Sequence, residues 1–165
     1  MISFEHTLLP LKNQLYRLAL RITMNREDAE DIVQETLIKV WNKREEWNKI
    51  DSVEAYTLAI CRNLSIDHVR LRRTDSSTDV EEVRQLQTNP FEQILQRDKI
   101  QVVRELIDTL PEKQKTAIQL RDFEGKSYKE IALVMGITEE QVKVNIFRAR
   151  QTVKSKYEKI EEYGL

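Results

Sequence analysis

Between residues 29 and 41 the apolar side chains recur as Ala29, Ile32, Val33, Thr36, Leu37, Val40 and Trp41. Steps of three and four put them on one side of a 3.6-residue turn, a pattern that a strand cannot satisfy. The opposite side of the same helix is left with Asp28, Asp31, Gln34, Glu35 and Ile38. Similar spacing runs through most of the chain. Only three glycines and three prolines punctuate its 165 residues. Leu, Glu, Lys, Arg and Gln, which lose little rotamer freedom in a helix, are abundant. Runs of β-branched residues bounded by turn residues are missing from the sequence. The chain is expected to be all-α.

The helices fall into two groups. One helix is expected from Ser3 to Thr23, with Pro10 as a kink or restart. Asn25 caps the next, and Glu27 and Asp28 suit its positive end. A third runs from Asp51 or Ser52 to Arg73, with Tyr56, Ala59, Ile60, Asn63 and Leu64 inward. Asn63 and Asp67, one turn apart, read as a buried polar pair that orients Arg70 or caps backbone. Residues 74–89 are polar and acidic, opening with Thr74-Asp75-Ser76-Ser77-Thr78-Asp79. Such a stretch cannot bury enough surface to offset the entropy of ordering it. Asn89 and Pro90 then start a second helical group, with Ile94, Leu95, Val103, Leu106, Ile107 and Leu110 on its buried side. Pro111 opens a helix that closes at Gly125. The organisation expected is two small helical domains, 1–73 and 90–165, joined by a flexible acidic linker over 74–89.

Several function classes are excluded. No run of 18 apolar residues exists, so no membrane-spanning helix is expected. The lone Cys61 has no disulfide partner within the chain. The first residues lack a basic and then apolar leader, so a cytoplasmic protein is expected. No glycine-rich phosphate loop, HExxH pair or nucleophile elbow occurs. Cys61 and His68 lie seven apart with no third ligand at suitable spacing, so neither a metal nor another cofactor nor a catalytic residue is expected. The formal net charge is −1, from 27 basic and 28 acidic residues. Any nucleic-acid binding must therefore come from a local patch.

Such a patch follows a turn. Ser127-x-x-Glu130 and Thr138-x-x-Gln141 both match the capping box that starts a helix. Between them, Ala132, Gly136 and Val142 supply a small contact residue, a residue tolerant of positive φ and an apolar anchor, with Ile131, Ile137 and Ile146 around them. This is the pattern of a helix-turn-helix. Its second helix keeps Val142, Ile146, Ala149 and Val153 inward and projects Lys143, Asn145, Arg148, Arg150, Lys154 and Lys156. Lys143 to Lys159 holds six basic residues against one acid. Cationic side chains along one helix neutralise phosphates and release counterions, and the start of such a helix meets base edges, which points to Lys143 and Val144.

Two blocks together resemble the bacterial RNA polymerase sigma factors. Asp28-Ala29-Glu30-Asp31-Ile32-Val33-Gln34-Glu35-Thr36, with Trp41 and Ile60 to Arg70, is similar to sigma region 2. Leu110-Pro111-Glu112-Lys113-Gln114 through Arg148-Ala149-Arg150 is similar to region 4. The short chain, with these two blocks alone, resembles the extracytoplasmic-function (ECF) subgroup. The resemblance implies a non-enzymatic factor that binds core RNA polymerase, at its β′ clamp helices and β flap, and directs it to promoter DNA. It assigns Asp31, Gln34, Glu35 and Ile38 to the clamp helices. It assigns Asn48, Arg62, Asn63, Arg70, Arg72 and Arg73 to the minus-ten element, where a base is flipped from the stack. It assigns Lys143, Val144, Phe147, Arg148 and Arg150 to the minus-thirty-five element, with core packing as the rival role for Phe147. An anti-sigma factor is the further implied partner. Two other readings stay open: a helix-turn-helix regulator that acts without polymerase, and a helical adaptor that binds no DNA.

Overall fold

The structure, a computed structural model, describes residues 3–75 and 98–164. Helices, and no strands, form among the described residues. The chain enters through a π-helical turn (Phe4–Leu8) and a 3-10 turn (Leu9–Leu11) before α1, Lys12–Thr23. Pro10 lies in that 3-10 turn; lacking an N–H, it restarts the winding, one of the two outcomes expected of it. Met24 ends α1 in the left-handed region at φ +57°, its N–H reaching the Leu20 carbonyl. Asn25 then caps α2, Arg26–Asn42, its Oδ1 accepting the Asp28 N–H at 2.9 Å. A 3-10 segment, Arg44–Lys49, leads to α3, Val53–Asp75, where the Ser52 hydroxyl accepts the Ala55 N–H at 3.1 Å.

The second group comprises α4 (Lys99–Asp108), α5 (Glu112–Ile118), α6 (Tyr128–Met135) and α7 (Glu139–Gly164). A π-helical turn, Gln119–Phe123, carries α5 to Gly125, whose φ of +69° ends it. The expected linker lies outside the described residues from position 76 on, as do Asn89, Pro90, Ile94 and Leu95.

Leu15, Leu18, Ile32, Val40 and Leu58 form the centre of the α1–α2–α3 bundle. Trp47 is buried at its end and donates its indole N–H to the Val40 carbonyl at 3.1 Å. Trp41 stands edge-on to Phe4 and Trp47, with ring centroids 5.6 and 6.1 Å away.

The expected inward face of α3 is corrected. Ala55, Thr57, Leu58, Cys61, Arg62 and Ser65 are the buried residues and Tyr56, Ile60 and Leu64 pack half-buried against the core, while Asn63 and Asp67 are exposed and form no buried pair. The reason is that α3 has neighbours on two sides, α1 and α2 on one and α6 on the other. The core is accordingly continuous across the chain: Ala117, Leu120, Ile131, Met135, Val142 and Ile146 share one apolar cluster with Leu15 and Leu58. A smaller cluster of Ile107, Leu110, Ile118 and Ala149 completes the second group.

A shared core makes the two groups unfold together. Both tryptophans lie in the first group, so Leu120→Ala in the second should lower the tryptophan-detected stability in urea by about 2–5 kcal/mol. A tryptophan transition left in place by that substitution would show that the groups stand apart.

Candidate nucleic-acid and protein interfaces

Local hydrogen bonding places the basic helix. Ser127 Oγ accepts the Glu130 N–H at 3.1 Å and starts α6. Gly136 then turns the chain at φ +65°, a region in which any side chain is strained. Thr138 and Gln141 satisfy each other, the Thr138 N–H donating to Gln141 Oε1 at 3.0 Å and the Gln141 N–H to Thr138 Oγ1 at 3.1 Å. Val142, Ile146 and Ala149 anchor α7, and Ala132 is half-buried beside the turn. Lys143, Val144, Phe147 and Arg148 are left on two adjacent outward turns. Val144 is 45% and Phe147 62% exposed, so Phe147 is not core packing. Lys143 Nζ sits 5.4 Å from the Tyr128 ring centre, a cation–π contact that keeps the ammonium on the outer face. Arg150 is drawn elsewhere: it forks onto Asp122 at 2.5 and 3.1 Å.

α2 presents a different surface. Asp31, Gln34, Glu35 and Ile38 are all exposed, Ile38 by 60%, so an apolar side chain stands in water among acids. Asp28 does not join them, because it is buried against Arg72 at 2.8 Å.

Between the last turn of α2 and α3 lies an open cavity of about 510 Å³, lined among others by Lys39, Lys43, Tyr56, Ile60, Asn63 and Asp67. An aromatic face, an amide, a carboxylate and two ammonium groups suit a planar polar ring carrying a phosphate. Asn48, in the 3-10 segment, and Arg70 and Arg73, on the last turns of α3, are exposed.

Arg62 is only 8% exposed and points the other way. Its Nε and Nη2 donate to Glu112 at 2.9 and 2.6 Å, and Nη1 reaches the Met135 carbonyl at 3.4 Å. Burial alone would raise the Glu112 carboxyl, but Arg62, the Thr116 hydroxyl and Lys115 outweigh it and hold the group below its ordinary value. Burial lowers Lys115 beneath the usual ammonium range despite Asp108 and Glu112 nearby. Burial pushes the Cys61 thiol up to about 12, against hydrogen bonds from Ser65 and Thr36, and so keeps it protonated at neutral pH.

Residues 9–75 match the family described as Sigma-70 region 2, and residues 100–153 match Sigma-70, region 4. RNA polymerase sigma factor SigV of Bacillus subtilis is 30% identical over 138 residues, an alignment that spans 84% of this chain and 81% of SigV. The chain belongs to the sigma-70 family.

Its relatives place this sigma factor in the ECF subgroup. ECF RNA polymerase sigma factor SigE of Mycolicibacterium smegmatis is 31% identical over 93% of this chain, which spans 61% of the length of that relative. The fold is similar to that of the sigma factor RpoE of Bartonella quintana, solved with the anti-sigma factor NepR, at a TM-score of 0.70 and 22% identity with 98% of each chain covered.

In this sigma factor Asp31, Gln34, Glu35 and Ile38 on α2 and the start of α7 each form one open surface. Three basic residues assigned to DNA from the sequence form ion pairs within the chain: Arg62 with Glu112, Arg72 with Asp28 and Arg150 with Asp122. Each partner is remote in sequence, and a spacing rule cannot reveal it. The cavity adds Lys39, Lys43 and Tyr56, which the sequence reading passed over. Their signal was present, since Lys39 and Lys43 are four apart and Tyr56, Ile60, Asn63 and Asp67 follow one face of α3. No group of three or more His, Cys, Asp or Glu side chains is placed to hold a metal ion among the described residues.

The lowered Glu112 carboxyl gives a pH dependence of definite sign. Its contribution to stability is full above the unfolded carboxylate value of about 4.3 and is lost as pH falls through the lower folded value. Urea unfolding at stepped pH should show this acid limb, and Glu112→Gln should flatten it.

Proposed function

We propose that this sigma factor binds core RNA polymerase through Asp31, Gln34, Glu35 and Ile38 and directs it to promoters. Support comes above all from one chain carrying two unlike open surfaces, the basic and apolar start of α7 and the acidic and apolar face of α2. Functional units near 1–73 and 90–165, joined by 74–89, suit this division of labour. Lys143, Val144, Phe147 and Arg148 lie in the major groove of the minus-thirty-five element. There Lys143 and Arg148 meet base edges or phosphates, and Val144 and Phe147 meet thymine methyl groups. Arg150 joins the phosphate contacts on leaving Asp122.

At the minus-ten element the displaced strand runs over α3, with Arg70, Arg73 and Asn48 along its backbone and Arg62 and Arg72 joining once their carboxylate partners release them. A base flipped from the stack enters the α2–α3 cavity, where Tyr56 stacks on it and Asn63 meets its edge. The factor itself makes and breaks no bond, since the polymerase does the chemistry. It works in the cytoplasm; no helix among the described residues is long and apolar enough to cross a membrane. Region 4 also meets the β flap, and an anti-sigma factor, as solved with the RpoE relative, holds the protein inactive.

Reconstituted transcription tests each surface. Lys143→Ala with Arg148→Ala should reduce promoter use about 10–100-fold while leaving core binding intact. Asp31→Arg should weaken core binding about tenfold, since it sets a cation against a basic partner. Tyr56→Ala should slow open-complex formation about tenfold, the worth of one stacked base, and spare duplex binding. Initiation that survives all three unchanged would refute these assignments.

A further inference from the structure

The wall that α3 gives to the open cavity carries two polar side chains with no role inside the chain. Asn63 and Asp67 stand exposed and one turn apart, on the face that also holds Tyr56 and Ile60. Neither has a hydrogen bond or an ion pair among the described residues. The floor beneath them is fixed, because Tyr56, Ile60 and Leu64 pack against the buried core. On the α2 side Lys39, held by Glu35 at 3.4 Å, and the exposed Lys43 complete the lining.

An acid is out of place on a surface that receives phosphates. Each phosphodiester of an entering strand brings a negative charge toward Asp67, and Lys39 and Lys43 have to offset both. A carboxylate accepts hydrogen bonds and offers none, so it suits this place only where a donor meets it. The nucleobases differ in what they offer. Cytosine carries an amino group at N4, adenine at N6 and guanine at N2, whereas thymine has a carbonyl oxygen at each end of its pairing edge. Those oxygens meet the Asp67 oxygens as acceptor against acceptor. Asn63 cannot make the same choice, because its amide presents either an oxygen or an NH2 group by turning over.

We propose that Asp67 is the residue by which the cavity selects its base, taking one that bears an exocyclic amino group and refusing thymine. Asp67 accepts from the amino group, Asn63 meets the ring position beside it, and Tyr56 stacks on the ring whichever base arrives. That a flipped promoter base is the occupant rests on the reading above; the preference of the cavity does not. Cytosine and uracil make the cleanest comparison, since their rings match in outline and differ at C4, amino in one and carbonyl in the other.

Two experiments test this, both with the full chain. In the first, deoxycytidine monophosphate and deoxyuridine monophosphate are titrated into the free protein and followed by the amide shifts of residues 39–43 and 56–67. Wild type should bind the cytidine nucleotide about tenfold more tightly, the worth of one read base edge. Asp67→Asn, whose amide can meet either base, should bring that ratio to about one. Asn63→Ala should weaken both nucleotides alike and keep the ratio. Asp67 and Asn63 are exposed, so these exchanges leave the core intact, and an unchanged urea midpoint checks it. In the second, the complex with core polymerase selects from a single-stranded library of random sequence. One position of the bound pool should be depleted of thymine about tenfold, and Asp67→Asn should restore thymine there and nowhere else. No binding of either nucleotide, a ratio near one in wild type, or a ratio or depletion that survives Asp67→Asn overturns the proposal. A bound pool without any sequence preference refutes the minus-ten reading instead, and the nucleotide ratio still decides the role of Asp67.

Discussion

An amphipathic helix in water must cover its apolar stripe, and helices of 8 to 26 residues, such as α6 and α7, gain most of their stability from doing so. Every surface discussed above is a consequence of that demand. Ala29, Ile32, Val33, Leu37 and Val40 turn α2 inward, and Asp31, Gln34, Glu35 and Ile38 are what remains outside. Val142, Ile146 and Ala149 do the same for α7, leaving Lys143, Val144, Phe147 and Arg148. The apolar members of the outward sets are the informative ones. A lysine or a glutamate in water needs no explanation, whereas Ile38 at 60% and Phe147 at 62% exposure suit burial by a partner.

The same demand joins the halves. Leu120 and Ile131 have no access to water because they enter the cluster that holds Leu15 and Leu58. Apolar burial supplies attraction without direction, and the ion pairs around it supply register. Bidentate pairs such as Arg17 with Glu124 fix angle as well as distance. Exposed pairs of this kind add little stability each. Arg62 is the exception, being a nearly buried cation whose carboxylate partner among the described residues is Glu112. A contact of this make-up fixes one defined arrangement of the two halves.

Much of the architecture was legible in the sequence because its signals are local. Asn25, Ser127 and Thr138 announce helix starts within three residues, and Gly136 announces its turn alone. The outward basic face of α7 followed from spacing on one helix, as did the acidic face of α2. What stayed hidden depends on partners distant in the chain. The buried face of α3 could not be read from α3, since α6 covers it from a position some seventy residues on, as the contact from Arg62 to Met135 shows. The burial of Asp28 against Arg72 and the turning of Arg150 toward Asp122 were hidden for the same reason.

Site-specific photocrosslinking tests the central claim, that two modules of one chain take hold of one promoter at separated places. A benzophenone side chain at position 147 and another at position 56 would be placed in turn on the assembled polymerase complex with promoter DNA, and the crosslinked bases mapped. The account predicts duplex crosslinks from position 147 about 25 base pairs, or about 85 Å, upstream of single-strand crosslinks from position 56. Crosslinks from both positions to the same few bases, or none from position 147 with polymerase present, would contradict it.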